Sequence, residues 1–267
     1  YGCSLIAKEN YVAGTKSSIL TEEELDNFAV KHSNGRCKGC ENQCILTINK
    51  FSDGSRFVTG NRCEKGAGGE MHENKLPNLY EYKFKRLFQY KPLSDFDAKR
   101  GTIAIPRVLN MYEDYPFWFT FFTELGFRVE LSPHSTKKIY SMGMETISSD
   151  TACYPAKLVH GHIKWLVDQG YKLIFYPSLN FEKNEDPSAP NHYNCPIVAT
   201  YPEVIANNMD DLLNENMVKF LHPFLPYDND LRLMKELAVN LAPYHISYEE
   251  VKRSVIRARE EQTTFKN

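Results

Sequence analysis

Thr102-Ile103-Ala104-Ile105-Pro106 is a short apolar run that ends at a proline, and four more runs of this kind follow it along the chain. The five predicted strands are Thr102 to Ile105, Arg128 to Leu131, Lys172 to Tyr176, Ile197 to Thr200 and Val218 to Leu221. Each strand has a proline within two residues of its end, namely Pro106, Pro133, Pro177, Pro202 and Pro223. Because proline has no N–H to donate to a neighbouring strand, we expect these residues to end the strands.

Helical segments alternate with these strands. Two of them begin with a proline and are followed by a glycine, Pro116 to Leu125 and Pro155 to Gln169. Two more helices are predicted after the fifth strand, Asp230 to Leu241 and Tyr248 to Gln262. This alternation predicts an α/β fold with a mostly parallel, five-stranded, flavodoxin/Rossmann-like sheet. Since such sheets bind ligands outside the carboxyl ends of their strands, we expect function in the loops that the prolines mark.

A small module with four cysteines precedes this α/β region. Its spacing is C-x2-C-x3-C followed by a fourth cysteine after 18 residues, at Cys37, Cys40, Cys44 and Cys63. The insert contains two alternating runs, Ile45 to Phe51 and Arg56 to Thr59, which predict a β-hairpin that returns Cys63 to the other three. Four thiols at this spacing are typical of a site for zinc or an iron–sulfur centre. Two disulfides or four unrelated buried thiols are the alternatives.

Length and composition limit the possibilities. With 267 residues the chain can form two domains, which we predict as 1–95 (a connector and the four-cysteine module) and 96–267 (the α/β domain with its C-terminal helices). A formal net charge of −2 argues against a nucleic-acid partner. No long apolar window or export signal is visible, so we expect a cytoplasmic protein without a membrane span. A start at Tyr1 suggests a piece of a longer polypeptide.

Cys153 is the most informative residue of the proline-marked loops. It comes just before the helix that is predicted to start at Pro155, where the positive helix end and Lys157 favour a thiolate. Such a thiol suits a metal ligand or a nucleophile, and a buried structural cysteine is the alternative. Cys195 would lie at the opposite edge of the sheet, about 15 Å away along five-residue strands, unless the Ser178 to Asn194 loop folds back over the carboxyl edge.

Other side chains in these loops could line the same site. The candidates are Arg107, Asn110, Tyr154, Lys157 and His160. His160 and His162 are two positions apart on a helix and therefore point to different faces, so they do not form a chelating pair. The sequence contains no G-x-x-x-x-G-K-[ST], no G-x-G-x-x-G after a strand and no G-x-S-x-G. It thus lacks the usual patterns of an ATPase, a dinucleotide-binding domain or a serine hydrolase.

The same loops resemble a known family. The stretches that carry the resemblance are Ile105-Pro106-Arg107-Val108-Leu109-Asn110-Met111-Tyr112-Glu113, Ser149-Asp150-Thr151-Ala152-Cys153-Tyr154-Pro155-Ala156-Lys157-Leu158-Val159-His160-Gly161-His162 and Cys195-Pro196-Ile197-Val198, together with the cysteine module up to Gly66. They look like the acyl-CoA dehydratase activase-related proteins, the segment that follows the activase domains in CoA-substrate-specific enzyme activase polypeptides. The wider relatives are the 2-hydroxyacyl-CoA dehydratase subunits and the double-cubane-cluster proteins.

The resemblance implies an iron–sulfur protein. Those relatives hold clusters through cysteines in an α/β fold and receive electrons from an ATP-driven activase, so Cys153 and Cys195 would match cluster-ligand positions. Zinc or a second cluster would occupy the four-cysteine module. The expected partners are an activase ATPase domain, a dehydratase subunit or a second copy of the chain. Two alternatives remain open, a non-catalytic, zinc-stabilised interaction module and a catalytic thiol at Cys153.

Overall fold

The computed structural model describes residues 1–16, 19–40, 42–68 and 76–267. They belong to two compact units, Tyr1–Asn74 and Lys75–Asn267. The described elements of the first unit are three helices, α1 (Gly2–Glu9), α2 (Glu22–Asp26) and α3 (Glu64–Ala67), and three strands, β1 (Val30–Arg36), β2 (Ile45–Phe51) and β3 (Arg56–Thr59).

The first unit is built on an antiparallel sheet with the order β1-β2-β3. The predicted hairpin of β2 and β3 is confirmed, with Ile48 opposite Val58. Strand β1 was not predicted, because most of its side chains are polar and exposed. Its backbone nevertheless pairs with β2 along its whole length, from Val30 opposite Phe51 to Arg36 opposite Ile45. This pairing leaves the cysteine segment as the connection between β1 and β2.

The second unit contains the α/β fold. Its described elements are α4 (Leu79–Leu87), β4 (Thr102–Ile105), α5 (Met111–Glu124), β5 (Arg128–Leu131), α6 (Lys137–Met142), α7 (Tyr154–Asp168), β6 (Leu173–Phe175), β7 (Ser178–Leu179), α8 (Pro196–Asn208), α9 (Asp210–Glu215), β8 (Lys219–Leu221), β9 (Phe224–Leu225), α10 (Asp230–Leu241) and α11 (Tyr248–Lys266). Four of these strands form a parallel sheet with the order β5-β4-β6-β8. The strand order reverses between β4 and β6, which is where doubly wound sheets open a binding crevice.

One predicted strand is wrong. Residues 197–200 belong to helix α8, so the described parallel sheet has four strands instead of five, and Pro202 lies inside a helix instead of ending a strand. The β-branched run suggested a strand, but Pro196 occupies the first turn of the helix, where its missing N–H costs nothing. Tyr201 and Ile205, which are four residues apart, are both buried on one face of this helix.

The segments that follow β6 and β8 pair again beyond their prolines, where they form β7 and β9. Strand β7 pairs with β9 in parallel, with Ser178 opposite Phe224. The Ser178 N–H donates to the carbonyl of Pro223 at 2.9 Å, so the two segments stay paired across Pro177 and Pro223. The carboxyl edge of the sheet is therefore extended on the side of β6 and β8.

Helix α5 begins earlier than its sequence suggested. Pro116 was predicted at its first turn, yet the helix starts at Met111 and Pro116 lies in its interior. A proline there disturbs the hydrogen bonds of the helix. Gln262 of α11 compensates, since its Oε1 accepts from the Phe117 N–H at 3.2 Å and its Nε2 donates to the Glu113 carbonyl at 2.8 Å. Gln262 thus connects α11 to the turn of α5 that contains Pro116.

Helix α4 packs on α5 within the second unit. Phe88, the C-cap residue of α4, contacts Tyr112 with ring centroids 5.4 Å apart, and it contacts Tyr115 at 5.2 Å. The predicted boundary at residue 95 groups this helix with the N-terminal domain, whereas the compact unit that contains α4 also contains the sheet. Within the described residues, no helix is long and apolar enough to cross a membrane.

Candidate functional site at the carboxyl edge of the sheet

Cys153 and Cys195 occupy equivalent positions on two helices. Cys153 is the N-cap residue of α7 and Cys195 is the N-cap residue of α8, and in each helix a proline follows in the first turn. Neither thiol accepts a hydrogen bond from its own helix. Apart from the prolines, which have no N–H, the residues of each first turn keep their N–H groups available, and the positive end of each helix dipole is directed at its sulfur.

Both helix starts lie at the carboxyl edge of the parallel sheet. Helix α7 ends just before the start of β6, and α8 leads through α9 to the start of β8, so each helix runs antiparallel to its strand. The expectation that Cys195 lies at the opposite edge from Cys153 is thus wrong, because it depended on reading 197–200 as a strand. Because this segment is a helix, Cys195 lies at its N-terminal end, at the same edge of the sheet as Cys153.

The two helices are neighbours. The Tyr201 hydroxyl of α8 and Nε2 of His160 on α7 are joined by a hydrogen bond of 3.0 Å, and their rings are 5.6 Å apart. Cys153 lies close enough to Tyr201 for its charge to raise the pKa of that phenol, so α8 packs beside the start of α7. The edge brings the two thiols into one region of the second unit.

The loop before α8 folds back onto the segment that follows β7. Phe181 pairs with Tyr193 in an antiparallel bridge, and the Asn194 N–H donates to the Asn180 carbonyl at 2.9 Å. The Asn194 side chain donates to Glu182 Oε1 at 2.6 Å. These contacts hold the residue before Cys195 beside the end of β7.

His160 is buried and fully hydrogen-bonded. Its Nδ1 and the Thr146 hydroxyl are 2.8 Å apart, and its Nε2 contacts Tyr201. Burial lowers the pKa of His160 to about 4, so the ring is neutral at pH 7. Burial also raises the pKa of Tyr201, and the charge of the nearby Cys153 adds to this effect. His160 therefore positions Tyr201 beside Cys153, while its own ring has no exposed position from which to bind a metal.

His162, on the same helix, is held by two serine side chains. Its two ring nitrogens contact the hydroxyls of Ser132 at 2.8 Å and Ser135 at 2.9 Å. Burial lowers its pKa to about 4, with a smaller contribution from the positive charge of Arg107. The expectation that His160 and His162 point in different directions is confirmed, because they contact different elements.

A close helix crossing holds both histidines in place. A Cβ atom on Gly161, which stands between them, would overlap the carbonyl oxygen of Ile139 on α6. A Cβ atom on Gly143 would in turn overlap the backbone of Gly161. Only glycine permits this approach of α6 to α7.

The remaining candidates are distributed around the edge. Tyr154 is half exposed, with its ring 5.2 Å from that of Tyr140. Lys157 donates to the Asp150 carbonyl at 2.8 Å and so folds over the loop in front of Cys153. Asn110 is the N-cap residue of α5, and its buried side-chain amide has no hydrogen-bond partner among the described residues.

Three residues at this edge were missed from the sequence. Tyr201 directly follows the segment 197–200, which was predicted as a strand and proved to be part of a helix, and its spacing of four from Ile197 was the available signal. Tyr176 and Ser178 follow β6, and each has a buried hydroxyl without a partner in the described part of the chain. The charge of Tyr201 contributes to the raised pKa of Tyr176, after burial, so these two phenols are close.

In the first unit, the structure brings the cysteine segments towards one another. The Gly39 N–H donates to Cys37 Sγ at 3.4 Å, and the Cys37 N–H donates to the Cys44 carbonyl at 2.9 Å. A Cβ atom on Gly39 would lie 3.4 Å from the Cβ of Lys65, two residues after Cys63. N–H donation to a cysteine sulfur stabilises a thiolate, so this contact suits Cys37 as a metal ligand.

The arrangement as it stands is not a closed metal cage. Among residues 1–16, 19–40, 42–68 and 76–267, no group of three or more His, Cys, Asp or Glu side chains is positioned to hold a metal ion. At the sheet edge, Cys153 and Cys195 supply two thiols, whereas a cubane iron–sulfur cluster takes three or four thiolates. The two thiols of the edge are thus fewer than a cubane cluster requires.

The fold and the edge define a doubly wound α/β domain with thiols at two helix N-termini. Over residues 102–267 the chain matches a family described as the CoA enzyme activase uncharacterised domain. The chain belongs to this family, as its resemblance to the acyl-CoA dehydratase activase-related proteins predicted. A search of curated proteins and a search of solved structures each found no significant match.

Proposed function

We propose that this chain is an iron–sulfur-binding part of the 2-hydroxyacyl-CoA dehydratase and activase system. The observation that carries the proposal is the placement of Cys153 and Cys195 as N-cap residues of neighbouring helices at one edge of the sheet. Membership of a CoA enzyme activase family supports the system to which the chain is assigned.

In this proposal each residue at the edge has a defined task. Cys153 and Cys195 donate thiolate sulfur, and the free N–H groups of α7 and α8 stabilise the negative charge that they carry. Tyr201, which His160 orients, lies beside Cys153. Pro155 and Pro196 rigidify the first turn of each helix. The cluster, when bound, would accept a low-potential electron from an ATP-driven activase.

The partner requirement follows from the ligand count. Since this chain offers two thiols where a cubane takes three or four, the remaining ligands would come from a second copy of the chain or from a dehydratase or activase subunit. A cluster shared across a two-fold axis would use the same two cysteines from each copy.

The test is metal analysis after anaerobic reconstitution of the chain with iron and sulfide. Iron and acid-labile sulfide should be bound, and Cys153→Ser and Cys195→Ser should each lower both. Cys3→Ser, which changes an exposed thiol of α1, is the matched control and should leave them unchanged. If both edge variants keep the iron content of the unchanged chain, the proposal is wrong.

A second candidate is a zinc-stabilised interaction module without redox chemistry. The contact of the Gly39 N–H with Cys37 Sγ, together with the approach of the Cys63 segment, favours it. This candidate expects one zinc per chain at Cys37, Cys40, Cys44 and Cys63 and no visible absorption from a cluster. Partner binding would then survive Cys153→Ser and would be lost when the module cysteines are replaced.

A further inference from the structure

Arg107 is a positive charge that has no counter-ion among the described residues. It follows β4 at the carboxyl edge of the sheet, and in the described part of the chain it forms no ion pair with a carboxylate. Its side chain is half-buried, and burial lowers its pKa. Arginine is seldom taken out of water in proteins unless it is paired. An unpaired guanidinium at a binding edge therefore needs an explanation.

The guanidinium is held in a fixed orientation. Its Nε donates to the Ser132 carbonyl at 3.2 Å, and its plane lies over the rings of Phe88, at 4.4 Å, and Phe84, at 5.4 Å. The Arg107 N–H also donates to the Ser132 hydroxyl at 2.7 Å. The two Nη atoms make no hydrogen bond among the described residues. They are the pair of donors that binds a carboxylate or phosphate with two parallel hydrogen bonds.

Nearby titratable groups do not compensate this charge. His134 and His162 both have lowered pKa values, for which burial is the main cause and the charge of Arg107 a further one. Glu81, which lies in the same region, pairs with Lys85 at 2.6 Å. The potential around Arg107 is thus positive.

Arg107 lines two clefts. The larger has a volume of about 700 Å³, and its walls combine the rings of Phe84 and Phe88 with the polar side chains Glu81, Lys85 and Gln89. The smaller has a volume of about 380 Å³, and its walls are mostly apolar: Val108, Leu109, Tyr112, Pro155 and Leu158. A ligand with an anionic head and an apolar chain would match Arg107 together with the smaller cleft.

The backbone of the smaller cleft is strained. Leu109 has a φ angle of 41°, in the left-handed region that is costly for a residue with a bulky side chain. This conformation turns the chain between Arg107 and the start of α5. Strain of this kind is concentrated at binding and catalytic sites.

From these observations we infer that Arg107 and the smaller cleft bind an organic anion with a carboxylate or phosphate head and a short apolar chain. The head pairs with the two Nη atoms of Arg107, and the chain lies between Leu109, Tyr112 and Leu158. Pro155 in the wall of the cleft is two residues from Cys153, so the bound anion lies next to the thiol edge. This inference goes beyond the proposed function and does not depend on a cluster.

The test is calorimetric titration of the full chain, as purified, with hexanoate, hexyl phosphate and the neutral hexanamide. Hexanoate or hexyl phosphate should bind, and hexanamide should not. The tighter of the two anions identifies the head group. Arg107→Gln should weaken binding at least about tenfold, and Arg107→Lys, which keeps the charge but loses the planar pair of donors, should weaken it less.

Two further variants keep the test decisive. Leu158→Trp should fill the smaller cleft and weaken binding while Arg107 stays in place. Arg86→Gln is the matched control, since Arg86 donates to the Thr264 carbonyl and lines neither cleft. The inference is overturned if neither anion binds, if Arg107→Gln binds as tightly as the unchanged chain, or if Lys85→Gln weakens binding while Leu158→Trp does not. The readout is heat, so a failure here is distinct from a failure to bind iron.

Discussion

In the first unit, Leu46 is the one apolar side chain among the described residues that is buried in a core, whereas the second unit surrounds its sheet with buried aromatic and aliphatic side chains. Around Trp118 alone, the rings of Phe117 and Phe175 lie within 4.8 Å between centroids. A unit with so little buried apolar surface needs another source of stability, such as a metal or a covalent link. The comparison supports our proposal that the cysteines of the first unit have a structural task and those of the second unit a chemical one.

Loss of metal from the four-cysteine module is expected to have the largest effect. Cys40→Ser, or treatment with a chelator, should abolish the protection of the β1, β2 and β3 amides against hydrogen exchange and leave the second unit protected. The reason is that structural zinc supplies on the order of 10 kcal/mol to small folds. Cys3→Ser serves as the control. Unchanged exchange in the three strands would show that the first unit does not depend on metal.

In the second unit, Gly161→Ala should have the next largest effect. The added methyl group would overlap the Ile139 carbonyl oxygen, so α6 must move away from α7, at a cost of about 4 kcal/mol. Urea unfolding of the second unit measures this. Lys164→Ala on the exposed side of α7 removes only an ion pair with Asp168 and should cost about 0.5 kcal/mol. Equal effects of the two variants would contradict the close crossing.

Acid should destabilise the second unit through its buried histidines. The pKa of His160 is lowered to about 4 in the folded state, below the ordinary value of 6.5, so the unfolded state binds more protons between these two pH values. The free energy of unfolding should therefore fall as the pH drops from about 6.5 to about 4, by about 3 kcal/mol for this residue. In His160→Gln this part of the pH dependence should disappear. Identical slopes in the two proteins would rule out a buried neutral imidazole.

A smaller effect is expected where α11 meets the interior proline of α5. Gln262→Leu leaves the Glu113 carbonyl and the Phe117 N–H without their side-chain partners, which should cost about 2 kcal/mol. Thermal unfolding measures the loss. The variant Thr263→Ala, at an exposed position of the same helix, is the control. If Gln262→Leu is as stable as the control, the compensation for Pro116 has another source.

Much of this fold could be predicted from short-range patterns. Four strands of the parallel sheet, the hairpin of β2 and β3 and helix α7 were visible because apolar runs, prolines and glycines mark them locally. Helix α8 was not, because Ile197, Val198 and Thr200 favour a strand by composition. Pro196, which favours the first turn of a helix, and the spacing of four residues between Tyr201 and Ile205 were the signals that indicate a helix.

The candidate site was predicted less completely than the fold. Cys153 could be found because the capping position before Pro155 is a local signal. The contact of His160 with Tyr201 could not, and neither could the absence of a carboxylate beside Arg107 in the described part of the chain, since both depend on residues that are distant in sequence. The neighbouring positions of Cys153 and Cys195 follow only once α8 is recognised as a helix.

The most direct test of the central claim removes the module and keeps the edge. In Cys37→Ser/Cys40→Ser, reconstituted anaerobically with iron and sulfide, the chain should still bind a cluster that gives visible absorption and a paramagnetic signal on reduction. Adding Cys153→Ser should abolish both. A cluster that is lost with the module cysteines and is indifferent to Cys153 would contradict the claim that the thiols at the carboxyl edge are the site of the chemistry.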